Sequence, residues 1–146
     1  MTRHTQLYET DYDAWMAEQI HALQQGKLEA LDIPHLIEEL EGLNKSNKRE
    51  MYSYLVILLA HLLKWQYQPK ERSGSWEASI CNNRSGIERV VADQPSLKNY
   101  WQEVLPKAYK EAKKLAAKET KLNINLFPGE CPYLVHQLMD EEWLPQ

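Results

Sequence analysis

Apolar positions recur along this chain at helical rather than strand spacing. Tyr12, Trp15, Met16, Ile20 and Leu23 set an apolar face on a helix from Asp11 to about Gln25, with Thr10 and Asp13 as a capping pair and Gly26 as the stop. Asp32 caps a second helix, since Pro34 is tolerated in a first turn, and this helix runs to about Gln66, where Pro69 enforces an end. Gly42 and the stretch from Asn44 to Asn47 are weak formers, so its continuity is open. From Tyr54 to Leu63 it is apolar almost all round, as in a helix covered on several sides. Trp76, Ile80, Ile87 and Val91 mark a third helix over about 76–92, in which Asn82, Asn83, Ser85 and Gly86 again leave continuity open. A fourth opens at Pro95 or Ser96 and reaches about Lys121, with an expected kink at Pro106. Residues 123–129 read as extended, and 132–140 as a short final helix preset by Pro132. The expectation is an all-α fold: a compact antiparallel bundle of about four main helices plus a short C-terminal helix, in one domain over residues 1–146.

Composition supports this. Of 146 residues, 78 are Ala, Leu, Met, Glu, Gln, Lys or Arg and only 16 are Val, Ile or Thr, a balance that favours helix over sheet. A hydrophobic fraction of 43% can fill a core and excludes wholesale disorder. The net charge of −4 argues against a surface wholly devoted to nucleic acid. It is unevenly distributed: residues 98–121 hold seven lysines against three glutamates, whereas residues 29–41 hold five acids and no Lys or Arg. The N-terminus shows no secretory pattern and the longest nearly apolar stretch spans ten residues, so a cytoplasmic protein with no membrane segment is expected. Cys81 and Cys131 form no CxxC pair and read as reduced, packed thiols.

Several blocks occur in a defined order between Leu7 and Trp143: Leu7-Tyr8-Glu9-Thr10-Asp11-Tyr12 with Trp15, Leu36-Ile37-Glu38-Glu39-Leu40-Glu41, and His61-Leu62-Leu63-Lys64-Trp65-Gln66-Tyr67-Gln68-Pro69. Arg72 with Ser75-Trp76, then Pro95-Ser96-Leu97 and Cys131-Pro132-Tyr133, complete the set. Together they resemble a bacterial family, domain of unknown function number twenty-nine, found chiefly in cyanobacteria. The resemblance implies a helical fold and brings no activity to carry over. Asn82-Asn83-Arg84-Ser85-Gly86 departs from the family's Arg-richer third helix.

Candidate chemistry is sparse. Glu18 and His21 have the Glu-x-x-His spacing of di-iron bundles, and His35 with Glu38 or Glu39 has its reverse, but one pair in the right sense falls short of a site. No metal and no cofactor is expected. His61 interrupts the most apolar run and reads as a buried histidine with a local hydrogen bond. Lys64, Arg72 and Arg84 can join it in an anion-binding cluster if the second and third helices pair across the 68–75 turn, which also brings Trp65 towards Trp76. Arg84 lies in the apolar stripe of the third helix, so a carboxylate partner is expected, with Glu38, Glu39 or Glu41 as candidates. Lys107, Lys110, Lys114, Lys118 and Lys121 repeat at 3, 4, 4 and 3 along one face of the fourth helix. These features favour a non-enzymatic interaction module that binds a protein partner or forms a homo-oligomer. A small metal-dependent or anion-handling hydrolase near His61 and Arg84 is the alternative. Phosphate or nucleic-acid binding through the lysine face comes third.

Overall fold

The structure, a computed structural model, describes residues 3–146, with side chains from Gln6 onward. It is all-α, with no strand among the described residues. Its contacts gather into two compact units, Met1–Ser46 and Asn47–Gln146.

In the first unit, α1 (Arg3–Thr10), which the apolar spacing did not reveal, precedes α2 (Tyr12–Gln24). Asp11, rather than Thr10, caps α2: its carboxylate accepts from the Ala14 N–H at 3.1 Å, while the Thr10 hydroxyl donates back to the Gln6 carbonyl. Gly26, at φ +67°, ends α2 by donating to the Leu23 carbonyl, and Lys27 donates to that of Ala22. This pair of bonds satisfies the last carbonyls and requires a left-handed residue, which glycine adopts without steric cost. A 3-10 turn at Leu28–Ala30 leads into α3 (Ile33–Tyr67), whose first turn is closed by the Leu36 N–H on the Asp32 carbonyl.

α3 is unbroken through Gly42 and Asn44–Asn47. One interior glycine costs about 1 kcal/mol relative to alanine, less than the packing of the following four turns returns. That section, from Met51 to Leu63, supplies eight of the buried apolar side chains of the second unit. Against it lies α4 (Gly74–Asp93), capped by the Ser73 hydroxyl accepting from the Trp76 N–H. α4 is also continuous. Asn83 turns its amide back to the Ser79 carbonyl, and Gly86 is where the helices approach: a Cβ there would stand 2.7 Å from the Tyr54 ring. Lys64 meets Trp76, Tyr54 meets Arg89, and Asn47 donates to Gln94, a register that makes α3 and α4 antiparallel.

A 3-10 turn at Pro95–Tyr100, not yet α-helix as expected, precedes α5 (Trp101–Thr120), which keeps its helical course through Pro106. The contacts Lys48 to Tyr100 and Lys64 to Glu119 run α5 in the direction of α3. Lys121 leaves α5 in the left-handed conformation, at φ 64°. Residues expected to be extended instead form a 3-10 turn, Ile124–Leu126, because the Asn123 side chain accepts from the Asn125 N–H and holds the chain bent. Phe127 then buries itself edge-on to Tyr67 at 5.2 Å. The final helix, α6 (Val135–Leu138), is short as expected and plants Leu138 in the core.

Candidate functional site

His61 is partly exposed rather than fully buried. It lies one turn beyond Ile57, itself 39% exposed, on the same side of α3. Its ring N–H donates to the Ile57 carbonyl at 2.9 Å, and partial burial, aided by the Lys64 charge, pulls its pKa below the ordinary histidine value. Lys64, by contrast, is 8% exposed, pairs with Glu119 at 2.6 Å and rests over the Trp76 ring at 5.0 Å. With Gln68, Glu71 and Thr120 it lines a polar cavity of about 440 Å³. It is thus Lys64 that packs on the Trp76 ring, while Trp65 carries Arg72. Arg72 donates to the Trp65 carbonyl at 2.8 Å and stacks on the Trp65 ring, closing the C-terminal end of α3.

Arg84 takes no carboxylate. It is 4% exposed, and its donors go to the carbonyls of Leu138 at 2.7 Å and Gln137 at 3.2 Å. The last carbonyls of α6 have no intrahelical partner, so a guanidinium fork satisfies two of them at once. Desolvation lowers the Arg84 pKa, and the charge of Asp140 opposes the shift. Each member of the expected cluster is therefore held by its own partner. Among the described residues no three His, Cys, Asp or Glu side chains are grouped to hold a metal ion. Cys131 is partly buried and directed at the Tyr133 carbonyl, but Cys81 is exposed rather than packed.

Lys107, Lys110, Lys114, Lys118 and Lys121 are all exposed. The first four lie on α5, where Lys107 faces Glu103 at 3.3 Å and Lys114 faces Glu111 at 4.0 Å, both on the helix itself. Lys121 departs from their face, because the left-handed turn takes it off the helix.

The first unit carries what spacing alone did not reveal. Asp32, 7% exposed, accepts from the Trp15 indole at 3.0 Å and lies 2.7 Å from the His35 Nδ1. Its backbone N–H donates to Gln19 at 2.7 Å. Burial pushes the Asp32 carboxyl up, but the hydrogen bonds from His35 and Trp15 outweigh it and leave the pKa lowered. The Tyr8 ring stacks on His35 at 4.0 Å, and the hydroxyls of Tyr8 and Tyr12 both donate to Glu39. That shared carboxylate raises the Tyr8 pKa to about 12. Outside this network the unit is poorly covered. Among its described residues Trp15 and Ala22 are the buried apolar side chains, whereas Ile20, Leu23, Leu28, Ile33, Ile37, Leu40 and Leu43 are between 48% and 69% exposed.

The order of the sequence blocks and the networks they build meet in one finding: the family described as Domain of unknown function DUF29 matches residues 7–144. The chain belongs to this family. No curated protein and no solved structure matches it. Within this DUF29 chain, Tyr8, Tyr12, Trp15 and Glu39 lie in the first-unit network, and Lys64, Gln68 and Trp76 line the polar cavity. The block residues Gln66 and Tyr133 are joined by a hydrogen bond of 2.7 Å. These residues of the sequence blocks thus take part in polar and aromatic contacts within each unit.

Proposed function

We propose that this protein is a non-enzymatic interaction module that receives a basic amphipathic helix of a partner protein on its first unit. The observation that carries this reading is the exposed apolar stripe of α3: Ile33, Ile37 and Leu40 share one side of the helix, with Leu43 at its edge. A contiguous apolar face on a unit with so small a core of its own is a surface that association completes. Spacing of 4 and 3 fits the anchors of a helix laid alongside. Exposed Glu29, Glu38 and Glu41 border the stripe and select a partner bearing lysine or arginine. Two such faces from identical chains would bring like charges together, which disfavours self-association through this surface.

The test is fluorescence anisotropy of a labelled helical peptide of leucines and lysines, beside its leucine and glutamate counterpart, with the chain's mass in solution measured in parallel. Saturable binding of the lysine peptide, at least tenfold weaker in Ile37→Asp and Leu40→Asp proteins of unchanged helicity, supports the reading. Equal binding of both peptides, or a stable dimer abolished by Leu40→Asp, overturns it.

A further inference from the structure

Beyond that docking surface, we propose that the concavity between α5 and the Ile124–Leu126 turn binds a phosphorylated small molecule through Lys110, Lys113 and Lys114. The concavity has a volume of about 390 Å³ and is lined by these three lysines with Ile124, Asn125, Phe127 and Gly129. That is ligand size rather than the flat footprint of a nucleic-acid duplex. No carboxylate lines it.

Its two walls are fixed to each other. Tyr109 donates its hydroxyl to the Pro128 carbonyl at 2.6 Å, Lys113 donates to the Gly129 carbonyl at 3.2 Å while lying over the Tyr109 ring, and Phe127 is buried. The left-handed Lys121 and the Asn123-capped turn bring the chain back beside the helix that it has just left. Lys110, Lys113 and Lys114 are spaced i, i+3, i+4, so α5 presents three ammonium groups on one side, into the space that the returning chain encloses. Of the three, Lys114 has a carboxylate at the 4.0 Å limit, Glu111, and Lys110 is in no ion pair. Three like charges in a recess repel one another, and a phosphoryl dianion, with its cluster of acceptor oxygens, relieves that repulsion better than a monoanion does. Asn125 adds an amide donor at the opposite wall, and Ile124, 38% exposed, gives the ligand's uncharged body an apolar edge.

The probe is inorganic pyrophosphate, titrated into the full chain by calorimetry at near-physiological salt, with amide chemical shifts followed in parallel. Saturable one-to-one binding is expected, with shifts concentrated at residues 110–114 and 124–129. Lys110→Gln with Lys114→Gln should weaken it at least tenfold, while Lys107→Gln with Lys118→Gln, the same charge change on the same helix outside the concavity, should alter it less than twofold. Melting temperatures of both double variants establish that the bundle is intact, and Asn125→Ala provides a charge-neutral check from the other wall. An equal loss in the two lysine pairs, or the absence of saturable binding, overturns the proposal. So does tighter binding of single-stranded DNA or anionic vesicles that depends on all four substituted lysines, because it assigns the charge to a macromolecular surface.

Discussion

Arg84 shows how a buried charge is held without an opposite charge. Its guanidinium spans two carbonyls of α6, so its removal takes the side-chain donor from the buried Leu138, whereas the Gln137 carbonyl keeps the Asp140 N–H at 3.3 Å. Arg84→Met is expected to destabilise the protein by about 1.5–3 kcal/mol, the range for hydrogen bonds to a charged group. Arg84→Lys, which keeps the charge and loses the fork, should fall between the two. Urea denaturation of the three proteins provides the measurement, and equal midpoints for parent and Arg84→Met would show that the α6 carbonyls find water instead. The apolar stripe of α4 made the burial of Arg84 legible in the sequence. Its partner was not legible, because backbone carbonyls carry no residue identity and the end of α6 lies 54 residues downstream of Arg84.

At the scale of elements, two glycines with opposite consequences illustrate what local sequence can specify. Gly26 needs its positive φ, and a Cβ there meets no atom, so Gly26→Ala should cost about 1 kcal/mol through conformation alone. Gly42 lies in regular helix with open space around it, so Gly42→Ala should stabilise by a similar amount, about 0.5–1 kcal/mol. Thermal melts of the two variants should move in opposite directions, and a loss in both would mean that α3 is not regular at residue 42. The main helices were legible from apolar spacing, and so was the role of Gly26. The lapses have physical causes: α1 is tied down through Tyr8, which donates to Glu39 and stacks on His35, long-range pairings without periodicity, and the turn at 124–126 depends on one Asn side chain competing for backbone. The lysine spacing on α5 was visible in the sequence, but the recess was not, since its second wall is that turn.

Across the whole molecule, each unit holds ionisable groups in its contacts, and in the first these are Asp32, Glu39, Tyr8 and Tyr12. The lowered pKa of Asp32 means that the unfolded chain binds the extra proton, so this contribution is present above the ordinary carboxylate value, roughly 3.9, and is lost as pH falls through the folded one. The raised pKa of Tyr8 acts in the other direction: its contribution is complete below 10 and disappears as pH approaches about 12. The indole N–H resonance of Trp15, the one tryptophan among residues 1–46, is expected to lose its folded position at both extremes. Asp32→Asn should flatten the acid limb and Tyr8→Phe the alkaline limb; unchanged limbs would remove these groups from the account. One further property follows from the course of α3. Between Glu41 and Ser46 every residue of the helix is exposed, with Gly42, Asn44 and Ser46 among them, so little side-chain burial holds this stretch in helical form. A proteinase needs an unwound segment to thread its cleft, and here unwinding disturbs no buried side chain. Lys45 is accordingly the position at which a brief exposure to trypsin is expected to divide this chain, at the edge between residues 1–46 and 47–146.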